Sequence, residues 1–213
     1  MKRTLGIFVA LILGATVAAS SAAQADVSSV TPKGQRLAHA LDDMGVETKW
    51  IAGAHVDWDT GLPDGRPEVS PGRHTHCSAF VAATAKRLGV YILRPPEHGQ
   101  VLLANAQNEW LAQEGQGQGW RRVADPLEAQ SLANKGMLVV ASYHNHRDDK
   151  PGHIAIVRPA NKSEEQVSSE GPQVIQAGTV NSASISVREG FAGHRHAWND
   201  DEIDYYVHEI RAN

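Results

Sequence analysis

Residues 73–81 read Arg-His-Thr-His-Cys-Ser-Ala-Phe-Val, and this stretch contains the only cysteine of the 213-residue chain. An Ala-rich run without Pro or internal Gly follows, which favours a helix, and Gly89 predicts its end. Cys77 is therefore predicted to lie in the first helical turn. The unpaired N–H groups and the dipole at a helix start favour a thiolate over a thiol, and they can hold an oxyanion.

The first 25 residues have the pattern of a secretory signal peptide. Lys2 and Arg3 give a positive start, residues 5–19 are apolar, and Ala23-Gln24-Ala25 matches an A-x-A cleavage site. The apolar run is too short for a stable membrane span, and no other stretch is apolar enough for one. We therefore expect cleavage after Ala25, a secreted or periplasmic protein, and a single domain over residues 26–213.

Charge and cysteine content restrict the function classes. The formal net charge is −4 at pH 7, and removal of Lys2 and Arg3 with the signal peptide makes it −6. This negative balance argues against a nucleic-acid partner. An exported protein with one cysteine cannot form an internal disulfide, so that thiol is either reactive or paired between chains. A small, buried and unreactive cysteine is the alternative interpretation.

Residues 151–158 read Pro-Gly-His-Ile-Ala-Ile-Val-Arg and form the second informative stretch. Pro-Gly predicts a turn, and the β-branched apolar run after it predicts a buried strand that His153 opens. An imidazole ring in such a place needs a hydrogen-bond partner. His153 is therefore the predicted base for Cys77, with a histidine bound to a backbone carbonyl as the alternative.

Residues 172–179 read Pro-Gln-Val-Ile-Gln-Ala-Gly-Thr and predict another short strand that ends in a turn. Alternation places Val174 and Gln176 on one face. We expect Gln176 to accept a hydrogen bond from His153 and to fix its tautomer, the third role in a triad. An ordinary edge-strand glutamine is the alternative, and Asn181, on the turn just beyond, is the second choice for this role.

The order of predicted elements indicates an α+β class. Helical patterns cover residues 32–44, 77–88, 101–113 and 126–134. Strand patterns cover 136–143, 153–157, 172–179, 183–188 and 204–210, whereas 47–71, 114–119 and 161–171 are predicted loops. Because helices precede a block of strands, the α+β class follows.

These three stretches together resemble the NlpC-type cell-wall endopeptidases and the related CHAP amidases. The resemblance is carried by Cys-Ser-Ala-Phe-Val on a helix, Gly-His-Ile-Ala-Ile-Val on a strand and Val-Ile-Gln-Ala-Gly on the next strand, within about residues 73–186. It implies a papain-like fold, with the nucleophile at a helix N-terminus packed on an antiparallel sheet. It also implies a cysteine peptidase or amidase that cuts peptidoglycan peptides without a cofactor. In that family Cys77 would be the nucleophile, His153 the base and Gln176 the orienting residue.

The chain departs from the family pattern at three positions. His76 stands where the family usually has an acid, Ala79 where it has a glycine, and Gln176 where it has His, Asn or Glu. These departures leave open an inactive module of the same fold that binds cell-wall peptides or a protein partner.

Three His-x-His pairs support a rival interpretation as an exported metal-binding protein or metallohydrolase. The pairs are His74/His76, His144/His146 and His194/His196. On a strand, such a pair places both rings on one face, which suits zinc or copper. The pairs lie in polar, turn-rich segments, and no His-Glu-x-x-His or Cys-x-x-Cys spacing supports them. We therefore predict no metal site and favour the thiol hydrolase.

Overall fold

The computed structural model of the protein describes residues 27–67 and 74–211. The helices are α1 (Pro32–Asp42), α2 (Cys77–Arg87), α3 (Leu103–Gln113), α4 (Pro126–Asn134), α5 (Glu164–Glu170), α6 (Val187–Gly190) and α7 (Arg195–Asn199). The strands are β1 (Arg121–Val123), β2 (Leu138–Tyr143), β3 (His153–Val157), β4 (Gln173–Gln176), β5 (Ser182–Ser186) and β6 (Asp204–His208). The predicted signal peptide and its cleavage site lie outside the described residues. Within those residues, no helix has the length and apolar character needed to cross a membrane.

The strands form one six-stranded sheet in the order β1-β6-β2-β3-β4-β5, and every neighbouring pair is antiparallel. The register places Tyr143 opposite His153 and Ile156 opposite Ile175. The last strand in the chain, β6, pairs between β1 and β2. The predicted α+β class with an antiparallel sheet is therefore confirmed.

Helices cover both faces of the sheet. On one face, Val140, Ile154, Ile156 and Ile175 pack in a cluster with α1, α2 and α3. On the other face, alternate residues of the same strands pack against α4, α6 and α7; this second cluster includes Val139, Ala141, Ala155, Val157, Val174, Val187, Phe191 and Ala197. Burial on both faces explains why β2 and β3 are apolar along their length instead of alternating with polar residues.

The helix that carries the cysteine is the most buried helix of the fold. All residues from Cys77 to Ala85 are buried, so α2 packs on every side and not only on the single face that periodicity predicts. Its alanines allow neighbouring elements to approach closely, and Phe80 contacts Trp50 edge-on at 5.3 Å between ring centroids. Cys77 is thus attached to a helix with little freedom to move.

Two of the predicted assignments are wrong because side-chain caps begin helices that the sequence analysis did not predict. Residues 161–171 were expected to form a loop, yet α5 forms there because Ser163 and Gln166 make a reciprocal capping box. The strand predicted over 183–188 ends at Ser186, where the hydroxyl accepts a hydrogen bond from the N–H of Glu189 and begins α6. In each case a side-chain hydrogen bond between residues three positions apart outweighs the strand or loop tendency of the neighbouring residues.

Candidate active site

Cys77 is the first residue of α2, and its thiol is almost completely enclosed, with 3% of the residue exposed. This burial raises the pKa of the Cys77 thiol, because a thiolate loses its hydration there. The neighbouring groups of Ile154, Ser78 and Cys77 itself act in the opposite direction, but burial is the larger effect. The groups at the helix start thus favour the thiolate, in the direction that the sequence predicts, but desolvation exceeds their effect and the net shift favours the thiol.

His76 anchors the start of α2. Its side chain does not cap the helix; instead Nε2 lies 2.9 Å from the carbonyl oxygen of Ala54 and donates to it. Burial lowers the pKa of His76, so the ring is neutral at pH 7. His76 thus joins the preceding loop to the start of α2.

A cleft of about 500 Å³ opens beside Cys77. The first turns of α2 and α3 line it, together with the polar side chains of His55, Arg66 and Asp149. Leu102 immediately precedes α3 with φ +53° and has no polar side chain to cap that helix. Backbone N–H groups at two helix starts therefore border the same cleft, a setting that suits a carbonyl oxygen or another electron-rich group.

His153 and Gln176 are brought together on neighbouring strands, as the sequence predicts. Nε2 of His153 lies 2.8 Å from Oε1 of Gln176. The amide nitrogen of Gln176 donates to the carbonyl oxygen of Val180 at 3.2 Å, which turns Oε1 toward the imidazole. Because Oε1 can only accept, the neutral His153 ring carries its proton on Nε2 and leaves Nδ1 with a free lone pair.

The His153 ring is enclosed by aromatic side chains. Only 4% of the residue is exposed; Phe191 meets the ring edge-on at 4.6 Å between centroids, and His194 stacks on it at 5.4 Å with 16° between the planes. Burial lowers the pKa of His153, while the hydrogen bond to Gln176 opposes that shift. His153 is consequently a neutral imidazole in the resting protein.

Cys77 and His153 are associated with consecutive residues of β3. His153 is the first residue of the strand, and Cys77 is near the second, Ile154. The backbone of Ile154, the residue directly after His153, is near enough to the Cys77 thiol to act against the rise in its pKa, and α2 packs on β3. Ile154 belongs to the cluster that contains Cys77, whereas the His153 ring packs against Phe191 of the second cluster. Across residues 27–67 and 74–211, no hydrogen bond links the thiol to the imidazole, and His153 and Gln176 do not line the cleft. Within the described residues, the thiol and the imidazole are thus both neutral, lie toward opposite faces of β3 and make no contact with each other.

The side chain of Asn181 makes its hydrogen bonds to backbone groups and not to His153. Its Oδ1 accepts the N–H of Gly178 at 3.1 Å, and its Nδ2 donates to the carbonyl oxygens of Val46 and Lys49 at 2.8 and 2.7 Å. These bonds tie the turn after β4 to the loop after α1. Of the two predicted partners of the base, the geometry selects Gln176.

The histidines of the three His-x-His pairs contact carboxylates, a backbone carbonyl or aromatic rings. His144 bonds Glu109 at 2.8 Å, His146 bonds Glu202 at 2.6 Å, and His196 bonds Asp200 at 2.5 Å. Within the part of the chain that the structure describes, no group of three or more His, Cys, Asp or Glu residues is arranged to hold a metal ion.

Two contacts of the site were missed by sequence reasoning. Phe191 was not singled out, and His194 was considered only as a member of a His-x-His pair, because nothing local links either residue to a strand some 40 positions earlier. Oδ1 of Asn105, on α3, accepts the N–H of Gly152 at 2.7 Å and so positions the start of β3. No family model and no curated protein matches this chain, so its function is inferred from these residues.

Proposed function

We propose that the protein is an exported papain-like cysteine hydrolase that cleaves an amide or peptide bond in bacterial cell-wall peptides. The observation that carries this proposal is the meeting of three features at β3. Cys77 begins a buried helix that packs on β3, its thiol is near the backbone of Ile154, the residue after His153, and His153 is bonded to Gln176. A nucleophile, a base and a residue that orients the base are the parts that amide hydrolysis through a thioester needs.

The proposed reaction requires substrate binding to bring the His153 ring and the Cys77 thiol into contact; Nδ1 of His153 then takes the thiol proton while Sγ of Cys77 attacks the scissile carbonyl carbon. The directions of the two pKa shifts favour the neutral pair, so proton transfer accompanies the attack instead of preceding it. N–H groups at the start of α2, that of Cys77 foremost, hold the oxyanion. The proton on Nδ1 then passes to the leaving amine nitrogen as the C–N bond breaks. Water attacks the thioester and gives up a proton to Nδ1, which releases the acid and restores the thiol.

The cleft beside Cys77 supports a peptide-like substrate. It has polar groups of both charge types in Arg66 and Asp149, and its rim includes Val101, which is 81% exposed. An extended chain with polar backbone and mixed side chains fits such a lining better than a wholly apolar ligand does. The choice of cell-wall peptides comes from the sequence resemblance and from the predicted signal peptide.

An inactive binding module is the second proposal, and a specific observation favours it. The pKa of Cys77 is raised, the pKa of His153 is lowered, and the two side chains share no hydrogen bond in the described residues. Such a module would use the same cleft to bind a peptide without cutting it. The two proposals differ in turnover but not in the predicted ligand.

The deciding experiment is digestion of purified peptidoglycan by the chain from Asp26 onward, with released fragments identified by mass spectrometry. Cys77→Ala and His153→Ala are compared with His144→Ala, a surface variant that loses only the contact with Glu109. We expect the wild type and His144→Ala to release the same fragments and the two site variants to release none while remaining folded. Fragment release by folded Cys77→Ala would eliminate the thiol mechanism, and binding of peptidoglycan without release by the wild type would establish the binding module.

A further inference from the structure

The segment after β5 is built around the His153–Gln176 pair. Phe191 and His194 both contact the His153 ring, and we call these two residues the His153 clamp. The N–H of His194 donates to the carbonyl oxygen of Phe191 at 2.8 Å, so the two residues belong to one turn and move together. The clamp therefore holds the ring as a single unit, by an edge contact on one side and a parallel face on another.

Gly190 shows how closely this segment approaches the pair. A Cβ atom at position 190 would lie 2.7 Å from Oε1 of Gln176, the atom that binds His153. Any side chain at this position would force Oε1 to shift, so glycine allows α6 to pass near this oxygen without disturbing its bond to His153. The close approach brings the next turn, with Phe191 and His194, against the imidazole.

We infer that His194 is a positioning residue that fixes the plane of the His153 ring and shields it from water. The bond to Gln176 holds one nitrogen but leaves the ring free to tilt about that contact. The parallel His194 ring, itself supported by Tyr143 at 5.5 Å between centroids, limits this tilt and keeps Nδ1 in a constant direction. His194 stacks on His153 and is itself only partly buried, so one side of this ring faces His153 while part of it reaches solvent.

The charge state of His194 is compatible with this role. Burial, and then the neighbouring His153, lower the pKa of His194 to about 4. His194 is therefore neutral at pH 7, and a neutral ring can stack on the imidazolium that forms during the proposed reaction without repelling it. A phenyl ring should be able to replace it, because stacking and shielding require no titratable nitrogen.

The test measures the pKa and the tautomer of His153 by ¹⁵N NMR of labelled protein. The wild type is compared with His194→Ala, His194→Phe and the control His196→Ala. His196 is on the same turn of chain but bonds Asp200 and does not contact His153. In His194→Ala we expect the pKa of His153 to rise toward its ordinary value and the Nε2-protonated tautomer to lose its dominance. His194→Phe and His196→Ala should keep the wild-type tautomer and a lowered pKa. An unchanged ring state in His194→Ala, or the same change in His194→Phe, would overturn the inference.

The consequence for turnover rests on the proposed function, whereas the ring state does not. We expect kcat to fall about two- to tenfold in His194→Ala, the range that corresponds to loss of one aromatic contact, with KM unchanged and with recovery in His194→Phe. If neither the wild type nor any variant has hydrolytic activity, the proposed function fails. The NMR comparison still shows whether His194 positions the His153 ring. If the wild type is active and the ring state does not respond, only the clamp fails.

Discussion

Oε1 of Gln176 lies 2.8 Å from Nε2 of His153 and, at the same time, is the atom that a side chain at Gly190 would meet at 2.7 Å. One oxygen thus connects the orientation of the proposed base to the packing of α6. Changes on either side of this atom should alter His153 in predictable ways.

Replacing Gln176 by Glu should raise the pKa of His153. A carboxylate at this position stabilises the imidazolium, where the neutral amide only accepts a hydrogen bond. The base must be neutral to act, so activity falls as the pH drops through its pKa, and the acid limb of kcat/KM should move to higher pH by about one unit or more. Gln176→Ala should lower kcat without that movement. A pH–rate profile for Gln176→Glu that coincides with the wild-type profile would contradict the assigned hydrogen bond.

Gly190→Ala should reduce activity although residue 190 does not touch the thiol. The new Cβ would displace Oε1 of Gln176, so the variant should resemble Gln176→Ala in kcat and in the His153 tautomer. Gly193→Ala is the matched control, because a Cβ there meets no atom within 4 Å. Equal turnover by the two variants, measured at one substrate concentration well above KM, would show that the close approach has no role.

Alkylation of Cys77 by iodoacetamide should increase with pH and have its midpoint above the value of about 8.5 that is usual for a free thiol. The reason is that burial raises the pKa of this thiol, and no hydrogen bond to His153 offsets it in the described residues. The same reaction with unfolded protein supplies the reference midpoint. A midpoint far below the reference that disappears in His153→Ala would instead reveal a preformed thiolate–imidazolium pair.

The stability of the protein should fall between pH 6.5 and about 4, in part because of His194. The pKa of His194 is about 4 in the folded protein, whereas its ordinary value is 6.5. The unfolded chain therefore binds more protons within this window, and the free energy of unfolding decreases as the pH drops. His194→Phe removes this contribution, which is on the order of 1–3 kcal/mol at the acid end when partial exposure is considered. Urea unfolding at pH 7 and at pH 4 measures it. The loss of stability between the two pH values should be smaller in His194→Phe than in His196→Ala, and an equal loss would show that His194 is not buried in its neutral form.

Much of the fold was predictable, because local patterns carry it. The Ala-rich run after Cys77, the Asp125-Pro126 start of α4 and the apolar runs of β2 and β3 each identify an element from neighbouring residues alone. Capping patterns were the weaker signal, and α5 was missed although Ser163 and Gln166 stand at capping-box spacing. Local patterns could not predict that β6 pairs between β1 and β2, because strand order depends on which apolar faces are buried together.

By itself, the sequence determined the chemical identity of the proposed site: one cysteine at a helix start, one histidine that opens a buried strand, and one glutamine on the next strand. Only the tertiary structure decided the protonation states and the supports of these residues. The pKa of Cys77 is raised and that of His153 is lowered because both are removed from water by packing of distant segments. Phe191 and His194 reach His153, and Gly190 reaches Gln176, for the same reason. Desolvation and ring stacking depend on which surfaces meet in three dimensions, and no local spacing of residues encodes them.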